Sequence, residues 1–130
     1  MKLFYMAHPL GSGPDRDANI ANAKLWFAWL NDHLREIEVF EGHDVAVVAP
    51  WITLAEVWTE DKRERGLEID RIVIRRCHGI VLCGGRISPG MAIEAEWARE
   101  EGLIHRFDLS LLGPMPPSPE RWAKLVCAWP

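Results

Sequence analysis

Three short apolar runs, Leu3 to Ala7, Val45 to Ala49 and Ile80 to Cys83, each close on a proline or glycine and lead toward a segment with helical apolar spacing. That alternation constrains the fold more than any other feature. Strands apolar on consecutive residues are buried on both faces, and strands separated by helices run parallel because the helix carries the chain back across the sheet. From about Asp15 to Val39, Ile20, Ala23, Phe27, Leu30, Leu34 and Ile37 recur at helical spacing, with Gly42 placed to stop the helix. Asp61 to Cys77 and Ser88 to Glu101 give two further helices, Leu103 to Leu109 a fourth strand, and Pro119 to Cys127 a last short helix after a Ser118 cap. The stretch after Pro50 reads as irregular and tryptophan-containing. The expected architecture is one doubly wound, flavodoxin-like or Rossmann-like three-layer α/β domain spanning residues 1–130. It has a parallel sheet of four to five strands and a proline-rich extension at 113–130.

Composition narrows the partners. Fifteen basic against nineteen acidic residues leave a net charge of −4, which argues against a broad nucleic-acid or anionic-membrane surface and leaves room for a local anion pocket. No apolar run reaches the length of a membrane span, and the first residues lead into a strand and a Gly/Pro loop rather than a cleavable leader, so a cytoplasmic protein is expected. Cys77, Cys83 and Cys127 are odd in number and form no C-x-x-C pair, and the five histidines lack ligand spacing. Neither a metal nor a cofactor is expected. Trp26, Trp29 and Trp97 fall at helical positions, where packing within the core or between subunits is their first explanation.

Two acids interrupt apolar faces. Ser88-Pro89 reads as an N-cap with proline at the first helical position, and the helical wheel then sets Glu94 between Ile93 and Trp97 on one side and Met91, Ala95 and Ala98 on the other. Asp70 falls between Val73 and Ile74, within an arc that also holds Leu67, Ile69 and Ile72, while Glu68, Arg71 and Arg75 take the opposite side. An acid turned toward the protein must be paired, protonated or employed. Glu94 also reads as an ordinary acid near a helix start, and Asp70 as half of a salt bridge or a cap. In a doubly wound fold the loops after the strands gather at the carboxyl edge of the sheet, which brings Tyr5, His8, Ser88 and Glu94 together, with Asp70 supplied from the preceding crossover. Gly84-Gly85 lets the third loop turn sharply beside a ligand. Gly11-Ser-Gly-Pro-Asp-Arg16 lacks the third glycine of a dinucleotide fingerprint and the lysine of a phosphate loop.

Tyr5-Met-Ala-His-Pro9, Asp70, and Ser88-x-Gly90-x-x-x-Glu94 followed by Ala98 together resemble the nucleoside 2-deoxyribosyltransferase superfamily over about residues 2 to 109. The serine at 88 is most like the 2'-deoxynucleoside 5'-phosphate N-hydrolases and an uncharacterised bacterial and phage branch. The resemblance implies that Glu94 attacks the anomeric carbon of a ribosyl or deoxyribosyl group. Asp70 would position the sugar or the glutamate and help the base leave protonated. Tyr5, Ser88, Gly90 and Met91 would bind substrate, with Ser88 and the start of its helix on a phosphate, and His8 and Arg16 are further expected ligand contacts, Arg16 adding charge. Two positions depart from that pattern: His8 stands where glycine is common, and Pro9 where the hydrolases place a phosphate-binding serine. The partner implied is a small nucleoside or nucleotide rather than a nucleic-acid polymer or a membrane, and the tryptophan content together with the resemblance points to a homodimer. A nucleotide-sensing module without turnover and an NAD-type glycohydrolase are the alternatives.

Overall fold

The chain alternates strand and helix as its apolar runs predict. The computed structural model describes residues 1–11, 14–36, 43–58 and 60–128. Four strands, β1 (Lys2–Ala7), β2 (Val45–Val48), β3 (Gly79–Leu82) and β4 (His105–Asp108), form one all-parallel sheet in the order β2-β1-β3-β4. The central pair is buried: Phe4 to Ala7 of β1 and all of β3 are closed off from water, as expected for parallel strands covered on both faces. Among the described residues five helices flank the sheet: α1 (Asp15–His33), α2 (Pro50–Val57), α3 (Arg63–Arg76), α4 (Pro89–Glu100) and α5 (Pro119–Ala128). The strand order reverses direction between β1 and β3. Right-handed crossovers therefore send α1 to one face and α3 and α4 to the other, giving a doubly wound three-layer α/β fold.

Several expectations are corrected in detail. The segment after Pro50, read as irregular, is the two-turn helix α2, because Pro50 opens a helix rather than closing a strand. The first helix ends at His33 and passes into a 3-10 turn at Leu34–Glu36; Ile37, Val39 and the proposed Gly42 stop lie outside the described residues. Its buried face is also rotated. Ile20, Ala23, Leu30 and Leu34 are buried as expected, but Trp26 takes the core position and Phe27 is turned outward, 37% exposed. Trp26 can do so because its indole N–H donates to the Pro114 carbonyl at 2.7 Å, so the ring buries no orphan donor. On α3, Ile72 and Leu67 prove exposed, whereas Asp70 and Ile74 are buried.

Tryptophans hold the outer layer. Trp29 meets Trp26 and Trp122 edge-on at centroid distances of 5.6 and 4.7 Å, docking α5 onto α1, and the Trp122 indole N–H donates to Glu36 at 2.6 Å. The edge strand β2 is covered by a side chain: Asn31 of α1 accepts from the Val47 N–H at 2.9 Å and donates to its carbonyl at 3.2 Å, imitating a neighbouring strand. Among the described residues no helix is long and apolar enough to cross a membrane.

Candidate active site

Ser88 has the extended backbone of an N-cap, and its Oγ accepts from the Met91 N–H at 3.3 Å while Met91 Sδ accepts from the Ser88 N–H at 3.3 Å. This reciprocal cap fixes the start of α4, and with it the depth at which Glu94 enters. Glu94 lies one and a half turns further on, in a helix whose buried residues are Met91, Ala95 and Ala98. From the adjacent helix, Asp70 is 5% exposed on the face that carries Ile74. Both carboxyl groups line one cavity of about 350 Å³ at the carboxyl edge of the sheet, beside the β1/β3 switch point.

Tyr5 sits under them. It is fully buried in β1 between Val48 and Ile80, and its hydroxyl donates to Glu94 Oε2. It does not line the cavity, so it acts on the glutamate from below rather than on a ligand directly. Burial pushes Glu94 up to about 8, the Tyr5 hydroxyl pulling against that and the charge of Asp70 adding to it. Burial likewise raises Asp70 to about 7, opposed by the same hydroxyl. Asp70 Oδ1 is buried with no hydrogen-bond partner among the described residues. Of the two raised acids Glu94 keeps its proton to the higher pH. The Tyr5 hydroxyl itself is driven well above its ordinary range, first by burial and then by the two carboxylates.

The other expected residues divide by role. Arg16, Ser88, Gly90 and Met91 line the cavity. His8 also lines it, but both ring nitrogens are engaged: Nδ1 donates to the Pro9 carbonyl at 2.7 Å, and Nε2 accepts from Asn22 Nδ2 at 3.0 Å. Desolvation lowers its pKa, in keeping with this neutral form, and the ring stacks near Trp51 with centroids 6.3 Å apart. His8 is thus a wall of the cavity, with no ring nitrogen left for a ligand. Gly84 is what allows that wall. At φ +104°, a Cβ there would come within 2.6 Å of the His8 ring and 2.7 Å of Pro9, so the loop after β3 lies flat against the loop after β1.

Sequence reasoning misses the tryptophans and most of the cations that line the cavity. Trp51 and Trp58 face the cavity from α2 and the residue after it, and the Trp51 indole N–H donates to the Met6 carbonyl at 2.9 Å, pinning α2 over the end of β1. Reading that segment as irregular concealed both rings. Lys62, Arg63 and Arg86 add to Arg16 at the cavity. Gly66, one turn above Asp70, would place a Cβ in open space. The i, i+3, i+7 spacing of Arg63, Gly66 and Asp70 sets all three on one face of α3, a signal present in the sequence.

Fold and cavity together define a parallel α/β protein with paired acids on the floor of a ligand-sized cleft and cations around its rim. The chain belongs to the family described as Domain of unknown function (DUF7768), which matches residues 2–108, from the first residue of β1 to the last of β4. No curated protein matches the chain.

Proposed function

We propose that the protein cleaves the N-glycosidic bond of a nucleoside 5'-monophosphate or nucleoside, as its likeness to the nucleoside 2-deoxyribosyltransferase superfamily implies. The observation that carries this reading is the pair of raised carboxyl groups meeting around Tyr5 on the floor of a single cavity. In the first step the proton that Glu94 holds more tightly in the ligand-free cavity passes to Asp70, and the ionised Glu94 oxygen bonds to the anomeric carbon as the carbon–nitrogen bond breaks. Its electrons pass to the base, which takes the proton held by Asp70. Water then attacks the same carbon, gives its proton to Asp70 and releases the sugar and free Glu94. With the proton on Asp70 the pair supplies both the nucleophile and the acid that the first step needs.

The walls suit such a substrate. Asp70 lines the cavity with Glu94 where a sugar would sit, Trp51 and Trp58 give the base an aromatic wall, and the start of α4 with Arg86 and Arg16 faces a phosphate. Incubation with a panel of ribo- and deoxyribonucleosides and their monophosphates, followed by chromatography for free base, tests the proposal. Base release that disappears in Glu94→Gln is expected. Unchanged nucleotides throughout, or release undiminished in Glu94→Gln, would overturn it.

A further inference from the structure

The cavity carries more positive charge than a monophosphate uses. The chain as a whole is acidic at −4, yet Arg16, Lys62, Arg63 and Arg86 all reach one cleft. Among the described residues the ion pairs engage Lys24, Arg65, Arg71, Arg75 and Arg99, and none of the four cavity cations. They arrive from three separate segments: the first turn of α1, the start of α3 and the loop before α4. Like charges gathered from distant parts of an acidic chain repel one another unless a ligand joins them.

We propose that the cavity takes a nucleotide bearing a di- or triphosphate chain, whose outer phosphates are held by Lys62 and Arg63 at the start of α3. This rests on the reading of the cleft as a nucleotide site and narrows its substrate class. A monophosphate near neutral pH carries a charge of about −2, with roughly one more for each added phosphate, so the longer chains match four cations and the shortest leaves half of them unanswered. Geometry agrees with the count. α3 and α4 both start at the carboxyl edge of the sheet and pack side by side, which sets Arg63 and Ser88 on the rim, about 10 Å along their helices from Asp70 and Glu94. With a sugar held at the acids, the first phosphate faces Ser88 and Arg86, and only a longer chain crosses the mouth to α3. Lys62 and Arg63 are exposed, as groups that hold the outer end of a ligand must be.

The test compares mono-, di- and triphosphates of the four common deoxynucleosides, with inorganic phosphate and tripolyphosphate as base-free probes. Binding is read by calorimetry in EDTA, so that the chains keep their full charge. The paired variant Lys62→Glu with Arg63→Glu keeps its fold, because acids at a helix start are favoured by the helix dipole. Lys124→Glu on α5 is the charge control. Triphosphate is expected to bind about ten-fold more tightly than monophosphate, with that advantage lost in the paired variant and kept in the control. Equal affinity for the two chain lengths, or an advantage that survives reversal at 62 and 63, would overturn the proposal. Base release is followed in the same samples. Release from monophosphate without chain-length preference removes this inference and leaves the glycosidase reading, whereas chain-length-dependent binding with no base from any nucleotide does the reverse.

Discussion

Tyr5 decides how the two acids behave, and it does so from a position no ligand reaches. Its hydroxyl donates to Glu94 and so favours the ionised form that a nucleophile needs, against a burial that favours the neutral one. Tyr5→Phe removes the donor and leaves the burial. The Glu94 titration should then rise above about 8, and the half-point of the kcat/KM profile should move to higher pH with it. A rate lowered equally at every pH would show that the ring only packs. Glu94→Gln keeps the shape and the hydrogen-bonding oxygen but cannot form the bond to sugar, so turnover should fall by about 1,000-fold or more while the melting temperature holds or rises.

At the scale of elements, legibility followed local signals. Ser88-Pro89 announces α4 because a serine oxygen and a preset proline angle both suit a first turn, and the structure shows that cap made. Pro50 carries the same information but stands directly after a β-branched run, where it reads as a terminator, so the stretch reads as irregular and its tryptophans cannot be aimed at the cavity. The wheel placed Asp70 on the packed face of α3 correctly, yet could not foresee that Ile72 and Leu67 would stay outside, since that depends on which neighbour covers which side of the arc. Cations at the cavity were hardest to read because they converge only when three distant segments meet. Gly66 gives the element-level prediction. Gly66→Ala should stabilise α3 by about 1 kcal/mol, while Gly66→Leu should fill the space above Asp70 and weaken tripolyphosphate and nucleotide binding without lowering the melting temperature. Lost affinity in the alanine variant as well would mean that the backbone there, not the open space, is what the ligand needs.

The whole molecule carries an internal tension whose sign can be read in its pH dependence. Most acids in folded proteins are held below their ordinary range, and stability then grows as pH rises. Here Glu94 and Asp70 are raised to about 8 and about 7, so the folded chain binds more protons than the unfolded one from the ordinary carboxyl range up to those values. Stability is therefore lost as pH climbs through that window and levels off above it. His8 acts in the opposite direction but only below its ordinary value of 6.5, and the buried thiols of Cys77 and Cys83 begin to matter only as pH approaches their ordinary 9.0. Between pH 6.5 and 8.5 the acid pair dominates. The ligand-free protein should lose of the order of 2 kcal/mol across this range, equivalent to roughly 6 to 10 °C in Tm. Glu94→Gln should remove most of that slope, Asp70→Asn a smaller share, and the double variant should melt highest at pH 8. A wild-type Tm that rises over the same range would mean that both acids are already ionised in the folded state at pH 6.5 and that burial does not raise them.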